Sequence, residues 1–179
     1  MRYVIGIGSN MGDSVSIVRR AIGEIEAMFD VNVDERSSLY RTRPMGGPEQ
    51  DDYINAVVVM HCDRDPDCVL AGLQEIEFEF GRVRDVRWGP RTLDLDIIAV
   101  DDIISVDPDL TLPHPRAHER AFVLVPWHEI DPEATLPNHG LIENLIDRLT
   151  HDAEDGSRIP SSSSVVVVTA GDQAPGTSP

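Results

Sequence analysis

The chain has 179 residues, of which 41% are hydrophobic, a length that suits one domain burying roughly 70% of the surface its unfolded form exposes. Fifteen basic residues, all arginine, stand against 32 acidic ones for a formal net charge of −17. That balance opposes non-specific attraction to nucleic acid or anionic lipid, and the lack of lysine removes Schiff-base and P-loop lysine chemistry.

No apolar run approaches the roughly 20 residues of a membrane-spanning helix. Met1-Arg2-Tyr3-Val4-Ile5-Gly6-Ile7-Gly8 opens as a strand, without the charged and long apolar segments of a secretory signal, which predicts a cytoplasmic protein. After a buried strand over 2–9 the pattern turns helical, capped by Asp13 or Ser14, with Val18, Ile22, Ile25 and Phe29 on one stripe. Gly6-Ile7-Gly8-Ser9-Asn10-Met11-Gly12 invites a dinucleotide-binding reading, but Met11 stands where the third glycine belongs, and a structural turn is the expectation. Strands follow over 37–43 and 53–61, separated by the turn-rich Pro44-Met45-Gly46-Gly47-Pro48-Glu49-Gln50-Asp51-Asp52. The two cysteines, Cys62 and Cys68, match neither a disulfide framework nor a zinc spacing.

Asp65 as N-cap and Pro66 at the first position start a second helix, with Val69, Leu73, Ile76 and Phe80 facing inward and Gly81 stopping it. A polar loop at 82–91 leads to a strand at 93–100, short extended pieces near 103–105 and 110–112, and helices over 117–129 and 140–149. The order β-α-β-β-α-β, without internal repeats, predicts an α+β protein with a ferredoxin-like antiparallel sheet and helices packed on its faces. From Ala153 the chain turns to Ser, Gly, Pro and Asp. Residues 1–152 are therefore read as one domain and 153–179 as a flexible tail, although 165–168 could add an edge strand.

The strongest chemical signal is Arg91-Thr92-Leu93-Asp94-Leu95-Asp96-Ile97-Ile98-Ala99-Val100. Strand alternation puts Asp94 and Asp96 on one face with Cα atoms about 7 Å apart, while Leu93, Leu95 and Ile97 enter the core. Paired hard oxygen ligands suit magnesium, which keeps waters and substrate phosphates as its other ligands; the ordinary alternative is a strand showing acids to solvent. Arg82, Arg84, Arg87 and Arg91 form a basic cluster beside them, and arginines that neutralise a triphosphate next to a carboxylate-bound metal are recurring parts of phosphoryl transfer.

Tyr53 and Asn55 share a strand face, which suits a flat heterocycle that stacks on the ring and hydrogen-bonds the amide; the alternative is a satisfied structural pair. Leu70, Gln74 and Glu77 share a stripe beside the core stripe of the second helix, placed either to border a ligand or as an ordinary helix boundary. Pro115 between His114 and His118 argues against a shared helical zinc site, whereas Arg120 and Phe122 could meet phosphate and an aromatic face or serve as surface charge and packing. A ligand-sensing module without catalysis remains the rival reading.

Over residues 3–137 the chain resembles the 6-hydroxymethyl-7,8-dihydropterin pyrophosphokinases. The motifs that carry the likeness are Gly8-Ser9-Asn10, Tyr40-Arg41-Thr42 with Pro44, Asp52-Tyr53-Ile54-Asn55-Ala56, Gly81-Arg82-Val83-Arg84, Arg87-Trp88-Gly89-Pro90-Arg91-Thr92-Leu93-Asp94-Leu95-Asp96 and Pro113-His114. The resemblance implies a three-layer sandwich, ATP as co-substrate, and transfer of its β,γ-diphosphate to a pterin hydroxymethyl group with release of AMP. It implies two magnesium ions on Asp94 and Asp96, with Arg82 and Arg91 catalytic. Thr42, Pro44, Met45, Tyr53, Asn55 and Phe122 would hold the pterin, while Leu70, Gln74, Glu77, Arg84, Trp88, His114 and Arg120 would line the nucleotide side. Residues 82–91 would close as a lid, and a monomer is expected. Asp85, Asp109 and Pro115 depart from the family pattern, each losing a possible ATP contact.

Overall fold

The computed structural model describes residues 1–44, 49–82, 91–154 and 165–168. Met45, Arg84, Asp85, Arg87 and Trp88 lie outside them, as do residues 83–90 of the segment read as a lid. The strands are β1 (Arg2–Ser9), β2 (Val31–Arg36), β3 (Tyr40–Thr42), β4 (Tyr53–Cys62), β5 (Asp94–Val100), β6 (Ser105–Val106), β7 (Thr111–Leu112), β8 (Thr135–Leu136), β9 (Gly140–Leu141) and β10 (Val166–Val167). The helices are α1 (Ser14–Ala27), α2 (Pro66–Glu79), α3 (Ala121–Ile130) and α4 (Ile142–Glu154), with a 3-10 turn at Ala117–Glu119 before α3.

The main sheet runs β10-β3-β4-β1-β5, antiparallel throughout, and β2 pairs with β4 beyond the end of β3. The central strands β1 and β4 are buried on both faces, so they read as continuous apolar runs rather than alternating ones. Tyr3, Ile5, Ile7, Ile54, Val58, Met60, Leu95 and Ile97 pack one face of the sheet against Val18, Ala21 and Ile25 of α1 and Val69, Leu73 and Ile76 of α2. Val4, Val57, Val59, Ile98 and Ala99 pack the other face against Val123, Leu124 and Trp127 of α3 and Ile142, Leu145 and Leu149 of α4. The expected ferredoxin-like sheet is thus the middle layer of an α-β-α sandwich.

Several local expectations change. The chain leaves α1 after Ala27, and Asp30 takes a left-handed conformation (φ 63) that turns it into β2, so Phe29 is 85% exposed instead of completing the apolar stripe. Gly6 and Gly8 lie inside β1, not in a turn. The strand expected over 37–43 is confined to Tyr40–Thr42, and the helix expected over 117–129 is divided at Arg120, whose backbone is extended. In β5 the alternation breaks once. Ile5 pairs with Ile97 and Val4 with Ala99, so Ile98 is an extra residue and both Ile98 and Ala99 enter the second core.

Glu129 at the end of α3 fastens the segment entering β3. Its carboxylate accepts from Ser38 N at 2.8 Å, Ser38 Oγ at 2.6 Å and the Tyr40 hydroxyl at 3.0 Å. Burial, then the hydrogen bond to Glu129 and its charge, push the Tyr40 hydroxyl up to about 12. A raised folded value stabilises the fold fully below the unfolded value near 10 and is lost as pH rises through about 12. Denaturant titrations between pH 9 and 12 should therefore show a shallower alkaline loss for Tyr40→Phe than for the parent; parallel curves would remove Tyr40 as the cause.

Candidate active site

The face of the sheet that α3 and α4 cover is only partly covered. Helix α3 (Ala121–Ile130) shares the second core with Val57 and Ile98, and beside it the face is open as a cleft whose lining includes Gly8, Thr42, Asn55, Asp94, Asp96 and Phe122. The register aligns the floor in rows. Gly8 pairs with Asn55 on one side and Asp94 on the other, and Gly6 pairs with Val57 and Asp96. With strands about 4.8 Å apart, Asn55 and Asp94 stand about 10 Å from each other across a bare glycine. A Cβ on Gly8 would lie 3.2 Å from Asn55 Oδ1, and one on Gly6 would lie 3.1 Å from Ile98 Cδ1. The two glycines keep the floor flat and unobstructed.

At the β5 end of the row, Asp94 and Asp96 project from the same face, as the alternation requires. Arg82 Nη2 forms an ion pair with Asp94 Oδ1 at 2.6 Å, and Arg91 Nη1 holds Asp94 Oδ2. Arg120 Nη1 lies 3.3 Å from Asp96 Oδ2, and His114 Nε2 is 3.9 Å from the same oxygen. Burial first, then the charge of Arg120, push the His114 imidazole below its usual range, with Asp96 opposing. His114 is placed by its backbone N–H, which donates to the Ile98 carbonyl at 2.8 Å.

Glu77 does not face the cleft. It is 3% exposed, accepts from Leu95 N at 2.7 Å on the open edge of β5, and pairs with Arg82. Burial raises its pKa, while the Leu95 N–H and Arg82 hold it down. Arg82 thus bridges Glu77 and Asp94. Leu70 packs partly against the first core, and Gln74 is exposed on α2; neither lines the cleft among the described residues.

At the β3 end, the Asn55 amide donates to Thr42 Oγ1 at 2.7 Å, with both residues buried. Tyr53 lines the cleft and donates to Gln50 Oε1 at 3.3 Å, and burial raises its pKa. The Arg120 guanidinium lies 5.6 Å over the Phe122 ring. Pro44 is half-buried next to Arg43, which lines the cleft. Asp109 is exposed, with its N–H donating to Asp107 Oδ1 at 2.9 Å.

Three contributors carry little signal as single residues. Asn10 is 3% exposed; its Oδ1 accepts from Arg91 N at 2.8 Å while its amide donates to Gln50 Oε1 at 2.9 Å and Asp51 O at 3.2 Å. It ties the end of β1 to the approaches of β4 and β5. Gln50 and Arg116 also line the cleft, and neither lies on a periodic element that would single it out.

Residues 4–132 match the family model described as 7,8-dihydro-6-hydroxymethylpterin-pyrophosphokinase (HPPK). The chain belongs to the HPPK family. Among its relatives, a Haemophilus influenzae 2-amino-4-hydroxy-6-hydroxymethyldihydropteridine pyrophosphokinase is 40% identical over 142 residues, covering 79% of this chain and 89% of that one. The protein of the same description from Mycobacterium tuberculosis H37Rv is 39% identical over 171 residues, covering 88% and 86%. A crystal structure of wild-type Plasmodium falciparum HPPK-DHPS with pteroate superposes with a TM-score of 0.70 at 13% identity, over 90% of this chain and 44% of that one. This HPPK chain therefore spans under half of that solved chain, and the likeness supports the fold alone.

Proposed function

We propose that this HPPK-family enzyme moves the β,γ-diphosphate of ATP to the hydroxymethyl oxygen of 6-hydroxymethyl-7,8-dihydropterin across the glycine floor between Asn55 and Asp94. The observation that carries this reading is the row Asn55–Gly8–Asp94, which sets a hydrogen-bonding edge for a flat ring and a carboxylate–arginine cluster at opposite ends of one open strand face. In the reaction the acceptor oxygen bonds to the β-phosphorus, the bond from that phosphorus to the α-phosphate oxygen breaks, and AMP leaves.

The donor set fits magnesium. Asp94 and Asp96 offer hard oxygens on one face, and among the described residues no cluster of three or more His, Cys, Asp or Glu could hold a metal alone. A cation here needs waters and phosphate oxygens to complete its shell, as magnesium does. Two bound ions would neutralise the phosphates, orient them in line with the acceptor and lower the pKa of its hydroxyl.

The protein's own contribution is placement and charge. Arg82, Arg91 and Arg120 now face carboxylates; once phosphates and cations enter, those guanidiniums are in reach of phosphate oxygens. His114, partly buried beside Asp96, adds a donor. Asn55 and Thr42 fix the pterin edge, Tyr53 and Phe122 flank its faces, and Pro44 and Met45 border it. Arg84 and Trp88 complete the proposed nucleotide side, which Leu70 and Gln74 of α2 border outside the described cleft and Glu77 supports through Arg82; residues 82–91 are its lid and Asp96 is the proton acceptor. Residues 1–152 carry the proposed catalytic groups, in a cytoplasmic monomer. No described helix is long and apolar enough to cross a membrane.

The test is to supply magnesium, ATP and the reduced hydroxymethyl pterin and to identify the nucleotide released. AMP is expected. ADP would indicate single-phosphate transfer, and no product would leave only binding.

A further inference from the structure

We infer that the C-terminal strand β10 positions the acceptor side of the site by holding β3 in place; this rests on Thr42 and Asn55 being the pterin-binding pair. Strand β3 has three residues, and its last, Thr42, takes the Asn55 amide at 2.7 Å. One edge of β3 is paired to β4. On the other edge Val166 stands opposite Arg41 and Val167 opposite Tyr40, and Val168 N donates to the Leu39 carbonyl at 2.7 Å. Antiparallel alternation then directs the Arg41 N–H at Val166, one residue from Thr42.

The strap is anchored on both faces of the sheet. Val168 packs against the first core and Val165 against the second, while Val166 and Val167 are 54% and 44% exposed. Four consecutive valines in a segment otherwise rich in Ser, Gly, Pro and Asp are strand formers placed where a strand is needed. Strands this short need partners to hold their register. Glu129 restrains β3 only at its start, through Ser38 and Tyr40. On the edge away from β4, β10 is the backbone partner nearest Thr42 among the described residues. It lies beyond residue 132, where the match to the family model ends.

The experiment compares the full-length parent with Val166→Pro/Val168→Pro, which removes both N–H donors facing β3, and with Val166→Thr, which keeps them. Arg41 amide exchange, the pterin Kd with a non-hydrolysable ATP analogue and magnesium, and the nucleotide Kd are measured for each. The proline pair should lose Arg41 protection and bind pterin about tenfold more weakly, with nucleotide affinity changed by less than about twofold; Val166→Thr should match the parent. An unchanged pterin Kd despite lost Arg41 protection overturns the inference, as does equal weakening of both ligands. A parent that binds both ligands but releases no AMP contradicts the proposed reaction instead, and its pterin Kd still tests the strap.

Discussion

Asp96→Ala should lower kcat by about a thousandfold or more while changing stability by less than about 1 kcal/mol. The side chain is 37% exposed, and its partners are Arg120 at 3.3 Å and His114 at 3.9 Å. Exposed ion pairs of that kind contribute little to folding, and the neighbouring residues Leu95 and Ile97 supply the packing of β5. What the carboxylate provides is a hard oxygen on the cleft face, for which nothing else on the described surface substitutes at that position. Asp96→Asn keeps the shape and loses the charge, so it should fail nearly as badly. Steady-state kinetics beside a urea titration checks both halves; activity within tenfold of the parent would remove Asp96 from the metal site.

The largest effect on stability is expected from Arg82→Leu, at about 3 kcal/mol near pH 7, or roughly 6–12 °C in Tm for a chain of this size. Arg82 is 14% exposed at its side chain and faces Glu77, which is 4% exposed there. Removing the guanidinium takes away one of the groups that hold down a carboxylate already raised by burial. In the variant Glu77 then keeps its proton to higher pH. A carboxyl whose folded value is raised adds stability below its unfolded value and loses it as pH rises through the folded one. The deficit relative to the parent should accordingly shrink between pH 7 and pH 5, and Glu77→Gln in the same chain should recover more than half of it. A deficit that is the same at both pH values, with no rescue, would mean that the cost lies in packing.

The parts of this molecule legible in the sequence are those where one residue's neighbours decide its fate. Asp65 and Pro66 start α2 as expected, Gly81 (φ +72) ends it, and Asp94 and Asp96 share a face because a strand allows nothing else. The basic cluster beside them is likewise real at Arg82 and Arg91. What the sequence hid depends on pairing between distant segments. Val31-Asn32-Val33-Asp34-Glu35-Arg36 has two apolar residues and becomes a strand because β4 offers it a free edge at 58–62. Gly6 and Gly8 look like turn residues until β4 and β5 are laid on either side of them, where they become the floor of a cleft. Glu77 shares a helical stripe with Leu70 and Gln74, yet it ends on the Leu95 N–H and Arg82, because the open edge of β5 needs an acceptor there. Periodicity along α2 does not contain that information.

Location of the cations decides most directly whether Asp94 and Asp96 are the catalytic carboxylates. Crystals grown with the pterin, a non-hydrolysable ATP analogue and manganese in place of magnesium can be read by anomalous scattering. The expected result is two peaks, roughly 4 Å apart, each about 2.1 Å from carboxylate oxygens of this pair, with Arg82 and Arg91 moved onto phosphate oxygens. Peaks elsewhere, with both arginines still on Asp94, would contradict it.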